Sequence, residues 1–379
     1  MNSPDLSKAV DYHYGAFPPE KLDYEQLVEP LLQSTTSLTR YDQMLGAMQN
    51  SEILLAPLRR QEAVVSSRME GTISTLDEVL RIEAEEESGD GEALLKARGE
   101  AVETLLYSRA MHRIQDQMEE GRPLSEWLIR SAHQMLLSFG RGASKNPGSY
   151  KDEQNYIGEK RNRSVSFVPI SPDQLHAGME TLIRFSRAEK PTPLLKTALA
   201  HVEFEALHPF KDGNGRVGRM LVTLMLWDYD LIREPHFYVS AYFEEMREEY
   251  IDRMRRVSSH GEWTEWCLFF LEGLDKQACR NIETAQRVFD LYEEMKERFR
   301  ETLNSPWAMN AVDFMFANPV FRNNRFTHHS EIPSHVAMRI TRELRKADLI
   351  TEVVPSAGRR PAMYSFEPLL EIVRDEPGF

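Results

Sequence analysis

The chain has 379 residues, of which 41% are hydrophobic and 28% charged, values typical of a folded globular protein rather than a disordered or membrane one. Its formal net charge of −14, from 46 basic and 60 acidic residues, argues against non-specific nucleic-acid binding by the whole surface, because phosphate contacts need a positive face. At about 150 residues per domain, the length predicts two or three domains. No apolar run approaches the roughly 20 residues that a membrane span needs, so no membrane contact is expected.

The N-terminal stretch and the cysteines predict a cytoplasmic protein. The N-terminal stretch has neither the basic nor the apolar region of a secretion signal. The two cysteines, Cys267 and Cys279, are spaced for neither a zinc site nor a disulfide framework, which agrees with a reducing compartment.

The apolar pattern predicts a mainly helical protein. Apolar residues three and four apart indicate helices up to about Leu80, in 94–118 and 124–137, and from Pro172 to about Phe299. The acidic, glycine-containing stretch 83–93 is predicted to be a solvated loop. Turn residues and a β-prone run, Val165 to Ile170, predict a β-hairpin or flap near 145–170.

The chain changes character from about Asn304. Two helical stretches lead into strand-like runs that flank a turn with Gly358, Arg359 and Arg360, the pattern of a winged helix-turn-helix. The charge balance reverses here, because the basic residues between 321 and 346 outnumber the acidic residues Glu331 and Glu343. These basic residues are Arg322, Arg325, Arg339, Arg342, Arg345 and Lys346.

The stretch "HPFKDGNGRVGR", from His208 to Arg219, contains the spacing of a dinucleotide-binding turn. The pattern before it predicts a helix that begins at Pro193 and ends at His208, because Pro209 disfavours helical geometry in the preceding residue. A Rossmann turn needs a strand at that place, so that interpretation is excluded. A P-loop is excluded as well, since no Gly-Lys-Ser/Thr follows.

The residue types in this stretch favour phosphate chemistry. Glycines at the start of a helix let backbone N–H groups approach an anion, and Arg216 and Arg219 suit phosphate oxygens. Asp212 would repel a phosphate unless it holds Mg²⁺. His208 lies four residues earlier and is placed to take a proton from a hydroxyl.

A zinc site is the competing interpretation. His201, Glu205 and His208 have spacings of four and three on one helix face. That spacing is common by accident, so packing or hydrogen bonding behind the loop is favoured for His201 and Glu205.

The stretch resembles the signature of the Fic family of protein AMP-transferases, HPFx(D/E)GNGRxxR, at every specified position. "AHVEFEALHPF", "SYKDEQNYIG" and "GEWTEWCLFFL" resemble the family's preceding helix, flap and late core helix. The likeness extends over nearly the whole chain and implies a Fic-type helical bundle with four parts: an N-terminal helical region with an inhibitory motif (1–100), a Fic core (101–275), a connecting helix (276–303) and a winged helix-turn-helix (304–379).

The resemblance implies AMP transfer from ATP, with Mg²⁺, to a Ser, Thr or Tyr hydroxyl of a target protein. His208 is then the base and Asp212 the metal ligand, while Phe210 points inward and anchors the loop. The resemblance implies that the Asn214 amide lies in the anion hole and that Arg219 pairs with the γ-phosphate. The five residues expected to bind the nucleotide are Gly213, Asn214, Gly215, Arg216 and Arg219. The flap residues expected to dock an extended target segment are Tyr150, Lys151, Asn155, Tyr156, Ile157 and Gly158.

A second motif, Ser66-x-x-x-Glu70-Gly71, resembles the family's inhibitory (S/T)xxxE(G/N). Its spacing places Ser66 and Glu70 on one helix face, and Gly71 suits a helix end. The resemblance implies that Glu70 occupies Arg219 and makes ATP bind unproductively.

Several alternatives stay open. The same site type removes AMP or transfers UMP, phosphocholine or phosphate in other family members. A function of another class is a DNA-binding regulator that works through the winged helix. The sequence names no target protein, and it leaves self-modification and a homodimer open.

Overall fold

The computed structural model describes residues 5–48, 51–87, 97–159, 164–358 and 360–374. The chain divides into two compact units: the first unit comprises Met1–Asp42 and Arg109–Cys279, and the second unit comprises Gln43–Ser108 and Arg280–Phe379. Within the described ranges, no helix combines the length and apolar character of a membrane span.

The described chain is mainly α-helical, as predicted, with six short strands. The helices of its first half are α1 (Tyr24–Ala47), α2 (Ser51–Met69), α3 (Leu76–Glu87), α4 (Gly99–Glu119), α5 (Glu126–Leu136) and α6 (Pro172–Ser186). The remaining helices are α7 (Pro193–Leu207), α8 (Asn214–Asp228), α9 (Ser240–Glu245), α10 (Arg247–His260), α11 (Trp263–Leu303), α12 (Ala308–Ala317), α13 (Asn323–His329), α14 (Ser334–Lys346) and α15 (Glu367–Arg374). The strands are β1 (Val10–Asp11), β2 (Ile157–Glu159), β3 (Ser164–Val168), β4 (Val320–Arg322), β5 (Thr351–Val354) and β6 (Met363–Ser365).

A small sheet in the first unit contains the predicted hairpin. Its strand order is β1-β3-β2, with β1 parallel and β2 antiparallel to β3. The pairing of β2 with β3 confirms the hairpin near 145–170, and residues 160–163 lie outside the described residues. Gly158 allows the close approach, because a Cβ there would lie 2.1 Å from the Ser164 carbonyl oxygen.

Helix α7 is the central helix of the first unit. Its N-cap is Thr192 and its first residue is Pro193, as predicted, and nearly all of its side chains are buried. One side of α7 meets an aromatic core, in which the Trp266 indole donates to the Ala198 carbonyl at 2.8 Å. Another side carries the buried Glu203, whose carboxylate contacts Tyr12 at 2.7 Å and His13 at 2.8 Å. Buried contacts on both sides therefore fix the helix that ends at His208.

The second unit contains a three-stranded antiparallel sheet with strand order β4-β6-β5. Along the chain, this part runs helix, strand, helix, helix, strand, strand and helix, from α12 to α15. Arg322 is buried and pairs with Glu85 of α3, and Arg325 pairs with Glu87 at 2.8 Å.

The predicted acidic loop at 83–93 is wrong for its first part, because residues 83–87 belong to α3. Their carboxylates have arginine partners: Arg60 pairs with Glu83 at 2.5 Å, and Glu85 and Glu87 pair as described. These pairs offset the repulsion among the glutamates. Residues 88–93 lie outside the described ranges.

Candidate active site

His208 ends helix α7 in a left-handed backbone conformation, with φ 45° and ψ 60°. Its backbone N–H donates to the Phe204 carbonyl at 3.0 Å, and its Nδ1 lies 3.3 Å from the Glu205 carbonyl oxygen. A carbonyl can only accept, so Nδ1 carries the proton and Nε2 of the neutral imidazole carries the lone pair. This tautomer is the one that a base acting through Nε2 requires.

Phe210 anchors the loop that follows. Its side chain is fully buried, as predicted, and its ring stacks on His133 with centroids 3.7 Å apart. Asn214 closes the loop, because its Oδ1 accepts from the Phe210 N–H and its Nδ2 donates to the Phe210 carbonyl, both at 2.8 Å. Both polar atoms of this side chain therefore bond the main chain of the loop, and the Nδ2 amide carries a second N–H beside the one that bonds Phe210.

His133 was not singled out by the sequence patterns, although it supports the loop from α5. Its Nδ1 accepts from the Gly148 N–H at 2.8 Å, so Nε2 is the donor to the Asp212 carbonyl at 2.9 Å. Burial lowers the pKa of His133 to about 4, which keeps the imidazole neutral near pH 7. In the sequence it occupies an ordinary apolar position of an amphipathic helix, beside Ala132 and Leu136, and nothing there marks it.

Asp212 and the glycines form the mouth of helix α8. Gly213 is the N-cap residue, with φ 79°, and its N–H donates to Asp212 Oδ1 at 2.7 Å. The Asp212 side chain is 42% exposed, whereas Arg216, whose Nη2 lies 3.6 Å from Asp212 Oδ1, is 3% exposed. The backbone of Gly215 belongs to the first turn of α8. An accessible carboxylate, a helix N-terminus and a buried arginine are thus brought together.

Arg219 lies one turn further along α8 and is also buried. Beside it, Gly218 lets α7 and α8 approach closely, since a Cβ at Gly218 would lie 2.1 Å from Glu205 Oε1.

His201 packs behind the loop, as the sequence favoured. Its Nδ1 lies 3.1 Å from the Gly218 carbonyl and its Nε2 lies 2.8 Å from the Tyr250 hydroxyl, so both ring nitrogens have partners. Burial lowers the pKa of His201 to about 3. No group of three metal-ligating side chains is found in the described part of the chain, and the zinc interpretation has no structural support.

The six predicted docking residues separate into two groups. Tyr156 is 45% exposed and, with Ile157 and Gly158, it lies at or beside strand β2. Lys151 is buried, so a docking role for its side chain is wrong: its ammonium group donates to the main chain of the loop. The Asn155 side chain also donates to the main chain of the loop, and the Tyr150 hydroxyl donates to Glu126 at 3.0 Å.

The motif Ser66-x-x-x-Glu70-Gly71, predicted to be inhibitory, lies at the end of α2 in the second unit. Ser66 is buried, and Glu70 is exposed at the C-cap. The prediction that Gly71 lies at a helix end is confirmed by its φ of 80°, by its N–H bond to the Arg68 carbonyl, and by the bond from the Thr72 N–H to the Ser67 carbonyl. These are the two hydrogen bonds of a Schellman helix end.

Two family models match the chain: "Fic/DOC family" over residues 123–226 and "Fic/DOC family N-terminal" over residues 28–114. A protein of Aquifex aeolicus named "Probable protein adenylyltransferase" is 27% identical over 197 residues, which is 50% of this chain and 56% of that protein. A protein adenylyltransferase of Caenorhabditis elegans is 28% identical over 101 residues, 26% of this chain and 18% of that one. The matches thus span about half or less of these relatives.

The fold has a solved counterpart in the crystal structure of a Fic family protein from Desulfovibrio desulfuricans. The two structures superpose with a TM-score of 0.56 at 20% identity, over 92% of this chain and 98% of the other. The matched "Fic/DOC family" segment contains the loop from His208 to Arg219 and its supports on α5, α7 and α8. The chain belongs to the Fic/DOC family.

Proposed function

We propose that the protein transfers AMP from ATP to a Ser, Thr or Tyr hydroxyl of a target protein. One observation carries the proposal: the imidazole of His208, held as the Nδ1–H tautomer, lies at the mouth of a glycine-lined helix N-terminus that has an exposed carboxylate and two buried arginines. The names of the relatives support the same activity.

The proposed step uses His208 as the base. Nε2 takes the hydroxyl proton, the hydroxyl oxygen bonds to the α-phosphorus, and the bond from that phosphorus to the pyrophosphate oxygen breaks. Backbone N–H groups of Asn214 and Gly215 and the guanidinium of Arg216 stabilise the charge on the phosphates, and Arg219 pairs with the γ-phosphate. Gly213 instead supplies the left-handed turn before helix α8, because its N–H donates to Asp212 Oδ1.

Asp212 suits a Mg²⁺ ion. Its side chain is 42% exposed at the mouth of the loop, and a hydrogen bond from the Gly213 N–H orients Oδ1. One carboxylate, with phosphate oxygens and waters, is a usual Mg²⁺ ligand set. When bound, the ion would offset the negative charge of the α- and β-phosphates.

Glu70 is proposed to inhibit this activity. Its position, exposed at the C-cap of α2, supports the proposal because a carboxylate at a helix end can reach a ligand. By engaging Arg219, it would take the guanidinium that the γ-phosphate needs. The target segment is proposed to add as a strand beside β2, whose position at the edge of the β1-β3-β2 sheet supports this docking.

Labelling with ATP that carries a radioactive α-phosphate tests the function. The wild type, Glu70→Gly and His208→Ala are incubated alone and with a cell lysate that contains candidate targets. We expect strong labelling by Glu70→Gly, weak labelling by the wild type and none by His208→Ala. A folded Glu70→Gly protein that labels nothing, itself included, would contradict the function.

Mass spectrometry of the labelled protein separates the alternative reactions, since added AMP, UMP, phosphocholine and phosphate differ in mass. Loss of AMP from a pre-modified protein would instead indicate the reverse reaction.

DNA binding through a winged helix is the proposal of another class. The order of elements from α12 to α15 supports it, and Arg339 of α14 is exposed. The charges support DNA binding less, because most of the basic side chains in this part pair with acidic side chains. The pairs are Arg322 with Glu85, Arg325 with Glu87, Arg342 and Lys346 with Glu343, and Arg345 with Glu352. Arg359 lies outside the described residues. A gel shift of the full chain on duplex DNA at low salt tests this function, and no shift would refute it.

A further inference from the structure

We propose that Lys151 and Asn155 are positioning residues that hold the base His208 in its left-handed backbone conformation. This inference rests on the proposed function and adds two residues to its site. Together we call Lys151 and Asn155 the carbonyl clamp.

The clamp donates hydrogen bonds to four consecutive carbonyl groups, those of residues 207–210. Lys151 Nζ donates to the Leu207 carbonyl at 3.0 Å, and the Lys151 backbone N–H donates to the Pro209 carbonyl at 2.8 Å. Asn155 Nδ2 donates to the carbonyls of His208 and Phe210, both at 3.1 Å. Lys151 Nζ also donates to Asn155 Oδ1 at 2.8 Å, which joins the two side chains.

The loop needs such support because its backbone geometry is unfavourable. A helix end leaves its last carbonyls without helical partners. A non-glycine residue at positive φ costs on the order of 1–2 kcal/mol and persists only where its surroundings hold it. His208 has φ 45°, and Pro209 prevents the helix from continuing past it. The clamp supplies donors to the carbonyls that this sharp turn exposes.

The charge state of Lys151 leaves the clamp intact. Burial lowers the pKa of Lys151 to about 7, so both forms of the side chain exist near neutral pH. A neutral amine still has two N–H groups, which match the two acceptors, Leu207 O and Asn155 Oδ1. The clamp therefore depends on hydrogen-bond donors and not on a fixed charge.

The kinetic experiment uses the Glu70→Gly protein as its background. We compare Lys151→Met, Asn155→Ala and Lys151→Arg, with Lys145→Met, which alters an exposed lysine, as the matched control. We expect Lys151→Met and Asn155→Ala to lower kcat at least about tenfold while KM for ATP stays within about twofold, because a displaced base slows the chemical step and not nucleotide binding. Lys151→Arg should recover part of the lost kcat, since it restores the donor. A kcat within twofold of the background in both Lys151→Met and Asn155→Ala, or a change confined to KM, would overturn the proposal.

A second measurement does not depend on activity. In proton–carbon spectra of histidine-labelled protein, the His208 imidazole signal is assigned by its loss in His208→Ala. We expect this signal to shift or broaden in Lys151→Met and Asn155→Ala and to stay unchanged in Lys145→Met, while the buried His201 signal reports that the core is folded. An unchanged His208 signal in both clamp variants would overturn the inference. Absence of labelling by the Glu70→Gly protein would refute the proposed function, and the spectra would still decide whether the clamp holds His208.

Discussion

The imidazole of His133 stacks on the ring of Phe210 with an interplanar angle of 5°, and the same imidazole bonds the Asp212 carbonyl. One side chain of α5 thus supports both the buried anchor and the proposed metal ligand of the loop. Its support requires the neutral form, because Nδ1 accepts a hydrogen bond from the Gly148 N–H. The loop should therefore become less stable in acid.

The first prediction concerns this pH dependence. The pKa of His133 falls from an ordinary 6.5 to about 4 in the folded protein, so the unfolded chain binds more protons between these values. Stability from this group is complete above about pH 6.5 and is lost as the pH falls towards 4, by roughly 3 kcal/mol at 1.36 kcal/mol per pKa unit. Thermal unfolding from pH 4.5 to 7.5 should show that the stability of His133→Gln falls less in acid than the stability of the wild type does. Parallel curves for the two proteins would contradict the prediction, and His112→Gln, which removes an exposed histidine, should follow the wild type.

The second prediction concerns the end of α2. At Gly71 a Cβ would meet no atom within 4 Å, so the effect of a substitution there comes from its φ of 80° alone. Gly71→Ala should destabilise this helix end by about 1 kcal/mol and raise labelling above the wild-type level, because Glu70 is then less firmly placed. Gly71→Asn should lie closer to the wild type, since asparagine tolerates positive φ better. Labelling assays and thermal unfolding of both variants check this, and equal labelling by Gly71→Ala and the wild type would refute it.

The third prediction concerns Asn214. Asn214→Ala leaves the buried Phe210 N–H without its acceptor, at a cost of about 1–3 kcal/mol, whereas the Phe210 carbonyl keeps the hydrogen bond from Asn155. Asn214→Asp retains the acceptor for the Phe210 N–H, but it loses the donor and places a buried carboxylate beside the proposed phosphate site. We expect ATP affinity, measured by calorimetry, to fall in both variants, and further in Asn214→Asp because its charge repels the phosphates. The metal content is held constant in all three titrations. An unchanged affinity in Asn214→Ala would show that the loop keeps its form without this side chain.

The fourth prediction concerns the edge strand. Gly158→Ala places a methyl group 2.1 Å from the Ser164 carbonyl, so β2 must move away from β3. Labelling of lysate proteins by the Glu70→Gly background should fall several-fold, whereas ATP affinity should stay the same. Tyr156→Ala, which truncates an exposed side chain, tests docking without moving the strand. A parallel loss of ATP affinity in Gly158→Ala would mean that the change has spread to the nucleotide site.

The sequence predicts those structural features that depend on residues close together in the chain. Thr192 and Pro193 mark the start of α7, Pro209 marks its end, and Gly71 marks the end of α2, because each acts through its own backbone. The signature in "HPFKDGNGRVGR" predicts the family for the same reason, since its residues are contiguous.

Contacts between residues that are far apart in the chain cannot be predicted from these local patterns. Lys151 has the pattern of an exposed flap lysine, and its burial follows from contacts with a loop more than fifty residues later. His133 meets Asp212 across 79 positions of the chain. The acidic residues of α3 were predicted to be solvated because their arginine partners are distant in sequence.

The short distance along the chain from the carbonyl clamp to strand β2 limits how this site can diversify. Asn155 is fixed to the loop, and β2 begins two residues later at Ile157. Successive side chains of a strand point to opposite faces, so inserting or deleting one residue at Tyr156 would turn every following side chain of β2 to the other face. We therefore expect new target preferences to arise by exchange of side chains in this segment, and its length to be inherited unchanged.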